Sequence, residues 1–65
     1  MKLQIKDSGA WRNLASFTPA DEPEVRAAAS QLLRAIQQPK TTLRIAEGDT
    51  PLRYCAAPDF EWRDA

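Results

Sequence analysis

The sequence contains no histidine, a single cysteine (Cys55) and two glycines, Gly9 and Gly48. Without histidine, no side chain titrates near neutral pH in its unperturbed state, which removes the usual general acid–base group of enzymes. One cysteine excludes an internal disulfide, and with no histidine beside it a structural zinc site is excluded as well. A lone thiol suits a reducing compartment, so a cytoplasmic protein is expected. The two glycines stand alone, so there is neither a P-loop nor a dinucleotide fingerprint. No apolar run approaches a membrane span, and Met1-Lys2-Leu3-Gln4-Ile5-Lys6 lacks the hydrophobic stretch of a signal peptide. Charge of one sign is missing too: nine basic and nine acidic side chains cancel and are interspersed. That argues against a general polyanion binder. These absences point to a non-enzyme that holds no cofactor and no metal.

What is present fits one small domain, residues 1–65, with a thin core. Chains of this size often need a staple beyond their core. Disulfide and metal being excluded, self-association as a homodimer is the remaining supplement. Arginine outweighing lysine, with many alanines, suggests a GC-rich bacterial or phage origin.

Leu3 and Ile5 alternate with Lys2, Gln4 and Lys6, the period of a half-buried strand. Asp7-Ser8-Gly9-Ala10 is a turn cluster, and Trp11 to Phe17 reads as the returning strand, giving a hairpin over about residues 2–17. A three-residue Ser8-Gly9-Ala10 loop would pair Ile5 with Asn13 and Leu3 with Ala15. It would put Trp11, Ala15 and Phe17 on the core face, and it is preferred because a Ser8-Gly9 loop would expose Trp11. A bulge near Asn13 would also accommodate Leu14.

Two helix starts overlap between Thr18 and Glu24, and Asp21 is chosen as the N-cap, with Glu24 three residues later and Pro23 in the first turn. From Glu22 to about Gln38 the positions Val25, Ala28, Ala29, Leu32, Leu33 and Ile36 follow the helical period. Arg26, Ser30 and Arg34 fall on the other face, Glu22 can pair with Arg26, and Pro39 stops the helix.

Leu43 and Ile45 alternate with Thr42, Arg44 and Ala46 as a third strand. Gly48-Asp49 suits a two-residue type II′ turn, giving a second hairpin over about residues 41–57. That register pairs Ile45 with Leu52, Leu43 with Tyr54, Ala46 with Pro51 and Arg44 with Arg53. It leaves Cys55 opposite Thr42 on the far face. Pro58 ends the fourth strand, and residues 58–65 form an extended tail. The expected fold is α+β, ββαββ, a four-stranded, mostly antiparallel sheet with one helix on one face and the strand order open.

Function is bounded by elimination. Arg44 facing Arg53 is mildly unfavourable across strands, so an anionic partner would supply their counterpart, with Arg12 joining them if the first hairpin docks in phase. The alternative is a pair of splayed arginines neutralised by Glu47, Glu61 or Asp64. Trp11, Phe60 and Trp62 are more aromatic surface than the core obviously needs. The tail either folds back to close the core or offers an interface. Cys55 is either a half-buried filler or a thiol activated by the two arginines. The leading expectation is a small protein-interaction or regulatory module binding another protein or itself. The alternative is a nucleic-acid-binding module using Arg12, Arg44 and Arg53 on the open sheet face.

Overall fold

Each strand of this chain has one apolar and one polar side, and those sides decide how the elements stack. The computed structural model describes all 65 residues. They form β1 (Lys2–Lys6), β2 (Arg12–Ser16), a 3-10 turn (Pro19–Asp21), α1 (Glu22–Ile36), β3 (Thr42–Glu47), β4 (Thr50–Ala56) and β5 (Glu61–Asp64). The α+β class holds, but the strands number five: the tail becomes β5, paired antiparallel to β4. The order is β2-β1-β3-β4-β5, so both hairpins and the tail join one antiparallel sheet. The two halves meet where β1 pairs with β3, Leu3 opposite Ile45 and Ile5 opposite Leu43.

The second hairpin differs from its expected register at one place. The Gly48-Asp49 turn forms, with Gly48 at φ +59, Glu47 opposite Thr50 and Ala46 opposite Pro51. A bulge then makes Leu52 an extra residue, so Ile45 faces Arg53, Arg44 faces Tyr54 and Leu43 faces Cys55. The reason is space. Cys55, fully buried, packs with Ala29, Leu33 and Leu43, where a small residue lets the helix approach. The unbulged register would put the Tyr54 ring under the helix instead, and close-packed interiors do not absorb such an increase.

The first hairpin also carries a bulge. Leu3 faces Ala15 as the longer loop requires, but a bulge at Leu14 leaves Gln4 opposite Asn13 and Ile5 opposite Arg12. Leu14 remains 49% exposed, so the bulge does not bury it. Trp11 is on the opposite side of the sheet from the core, not on the core face.

The helix is also rolled from its expected phase. Ala29, Ser30 and Leu33 are its buried residues, whereas Leu32 and Ile36 are exposed. The cause is β5 and the turn before it. Ser30 Oγ donates to the Phe60 carbonyl at 2.6 Å, and the Trp62 indole N–H donates to the Arg26 carbonyl at 2.8 Å. Phe60 and Trp62 pack against the core cluster, which draws the Arg26–Ser30 side of α1 toward β5. At its start Asp21 occupies the N-cap position without a side-chain capping bond; instead the Thr18 hydroxyl donates to Asp21 Oδ2 at 3.3 Å. At its end the helix stops at Ile36, before Pro39 acts, because Gln37 turns left-handed (φ 50) and its N–H caps the Leu33 carbonyl.

Candidate functional site

Alternation along the strands divides the side chains between the helix side and an open side. On the helix side lie Leu3, Ile5, Leu43, Ile45, Cys55 and Trp62. On the open side one row of cross-strand partners spans all five strands: Asn13 on β2, Gln4 on β1, Arg44 on β3, Tyr54 on β4 and Arg63 on β5.

Hydrogen bonds tie the first part of this row together. The Gln4 side-chain amide donates to Asn13 Oδ1 at 2.7 Å and its oxygen accepts from Arg44 Nε at 2.6 Å. Trp11, just before β2, reaches over β1 so that the Arg44 guanidinium carbon lies 4.1 Å from its ring centroid. Tyr54 tilts against the same indole at 6.1 Å, and the Lys6 ammonium approaches it at 5.8 Å. A guanidinium on an indole face is attracted by the ring quadrupole, an effect of about 0.5–1 kcal/mol when exposed and more when desolvated.

The electrostatics of this face are one-sided. Lys2, Lys6, Arg44 and Arg63 point to it from the strands, against Glu61. Arg63 is paired with Asp59, but Lys2, Lys6 and Arg44 form no ion pair. Arg44 is half-buried, so its charge has lost part of its water without gaining a carboxylate.

The sequence-derived candidates are therefore separated. Arg44 and Arg53 are not opposite one another; the bulge places them on opposite faces. Arg53 turns to the helix side and lies 3.1 Å from Glu22 Oε2 and 3.5 Å from Asp64 Oδ1. Arg12 shares the face of Ile5, at the exposed edge, so it joins neither arginine. Trp11 belongs to the open face, while Phe60 and Trp62 are half-buried against the core.

Cys55 is fully buried, and burial pushes its thiol above the ordinary range, the Arg34 charge and a Ser30 hydrogen bond opposing more weakly. Its carboxylate neighbour across the turn, Asp59, is held below the usual carboxylate range, chiefly by the Glu61 N–H that donates to Asp59 Oδ1 at 3.2 Å.

Gln4, Asn13 and Tyr54 were not singled out by sequence reasoning as site residues. The polar phase of β1, with Lys2, Gln4 and Lys6 on one side, was the available signal. Comparison with protein-family models, with curated proteins and with solved structures finds no match, so the site is read from its own residues.

Proposed function

We propose that the protein is a non-enzymatic protein-binding module, and that its open sheet face receives an acidic segment of a partner protein. The observation that carries this reading is Arg44: half-buried, unpaired with any carboxylate, and held in place by Gln4 and Trp11. A partner carboxylate would supply the missing counter-charge in a partly desolvated site, where charge-assisted bonds are strongest. Lys2 and Lys6 on the same face add steering. The chemistry of the chain favours binding over catalysis, since it has no histidine and its one thiol is sealed in the core. A free, buried thiol also accords with a reducing, cytoplasmic setting.

Single-stranded nucleic acid is the second reading, favoured by Trp11 and Tyr54 beside three unpaired cations. It ranks lower because base stacking needs an open ring face, and the Trp11 ring already carries the Arg44 guanidinium. The overall charge balance weighs the same way.

Titration of isotope-labelled protein with a short poly-glutamate peptide, and separately with a thymidine oligonucleotide, tests both. The indole N–H of Trp11 and the Nε–H of Arg44 should shift with the peptide, weaken with salt and stop responding in Arg44→Gln. The Trp62 indole, on the helix side, serves as the internal control. A response to the oligonucleotide alone would replace the protein partner with nucleic acid, and silence toward both would remove the site.

A further inference from the structure

β1 presents its open-side groups at alternate positions, Lys2, Gln4 and Lys6. Neighbours in that series stand about 6.7 Å apart, twice the rise of a strand. The middle level gains its cation from β3: Arg44 lies opposite Gln4 and donates its Nε to the Gln4 side chain at 2.6 Å. Three cations thus stand at three successive levels along one strand, Lys2, Arg44 and Lys6. None of them pairs with a carboxylate of the chain.

Arg44 is the one held in a fixed pose. Gln4 takes its Nε, its guanidinium carbon lies 4.1 Å from the centre of the Trp11 ring, and neither Nη nitrogen bonds to another group of the chain. The end-on edge of the guanidinium is therefore free, and its two Nη–H groups match the two oxygens of a carboxylate. Lys2 and Lys6 are exposed point charges on flexible stems. Beyond β4 the face is closed to an anion, because Arg63 is already taken by Asp59 and Glu61 repels it. An acidic ligand is confined to the β1–β3 side.

We infer, resting on the open face as the seat of an acidic partner segment, that the segment is extended, runs along β1 and carries acids at positions i, i+2 and i+4. The middle carboxylate takes the Arg44 fork, and the outer two meet Lys2 and Lys6. An extended chain shares the rise and the twist of β1, so the side chains on one of its faces fall level with all three cations. A helix does not. Acids four apart on a helix stand about 6 Å from one another but turn aside by about 40° at each step, so the third leaves the face. A run of adjacent acids matches poorly as well, since alternate side chains of an extended segment point away from the sheet.

Three dye-labelled peptides, each with three glutamates, separate these patterns by fluorescence anisotropy at low salt. Ser-Glu-Ser-Glu-Ser-Glu-Ser and Ser-Ser-Glu-Glu-Glu-Ser-Ser have the same composition and charge. The third is an alanine-based helix with its glutamates four apart. The alternating peptide should bind the wild-type protein about threefold more tightly than the block peptide, the value of one further exposed ion pair. Lys2→Gln and Lys6→Gln, at exposed positions, should each remove that preference. Arg44→Lys keeps the charge without the fork and should weaken the alternating peptide about tenfold; an unchanged affinity overturns the fork. Equal affinities for the alternating and block peptides, both lost in Arg44→Gln, overturn the spacing while leaving the acidic-partner reading in place. Tighter binding of the helical peptide overturns the extended segment. Silence toward all three peptides removes the spacing and the acidic-partner reading together.

Discussion

The Trp62 indole N–H donates to the Arg26 carbonyl at 2.8 Å, tying the last strand to the first turns of the helix. A residue three positions before Ala65 thus fixes how the helix rolls on the sheet. Removing it by truncation after Pro58 deletes β5 and the Phe60 and Trp62 packing with it. The truncated chain should lose cooperative thermal unfolding altogether. Trp62→Ala alone should cost at least about 2 kcal/mol, from lost ring burial and the lost bond, read from urea unfolding.

Arg44 and Trp11 form the second relationship that can be measured. Arg44→Gln should leave the fold intact and lower stability by about 1 kcal/mol, through loss of the cation–π contact and the bond to Gln4. Trp11→Leu should cost a similar amount, and the double variant should cost less than the sum. Additive losses in urea unfolding would show that the two side chains do not interact.

Glu22 and Arg53 give a prediction about a charge held between helix and sheet. Their 3.1 Å approach is a charge contact without hydrogen-bond alignment, since Glu22 Oε2 has no hydrogen-bond partner although it is buried. Glu22→Gln removes a buried charge that Arg53 and, at 3.9 Å, Arg26 both face, so it should cost on the order of 1–3 kcal/mol in urea unfolding. A double-variant cycle with Arg53→Met should return a coupling that shrinks as salt is added. A coupling indifferent to salt would assign the contact to packing.

Cys55 supplies a pH dependence. Its folded-state pKa is raised, mainly by burial, so the fold disfavours the thiolate while the unfolded chain ionises freely. Its contribution to stability is constant through neutral pH and falls as pH climbs above about 9. Urea midpoints of the wild type should therefore decline more steeply between neutral and alkaline pH than those of Cys55→Ala. A thiol probe at pH 7 should label the folded protein slowly and the urea-unfolded protein at once.

The residues by themselves determined the element types. The alternation around Leu3 and Ile5, the helical spacing from Val25 to Ile36, and the Gly48-Asp49 turn are local signals, and each produced its element. So did the polar side of β1, which supplies Lys2, Gln4 and Lys6 to the open face. Tertiary packing decided the rest. Whether Leu52 bulges depends on what fits beneath the helix, and that small change moved Cys55 into the core and separated Arg44 from Arg53. The role of Glu61–Asp64 as a strand depends on β4 being there to pair with it, because four residues hold no stable conformation alone. The roll of the helix follows from that strand in turn. The candidate site is a row across five strands, and such a row exists only once the order and register of the sheet are set.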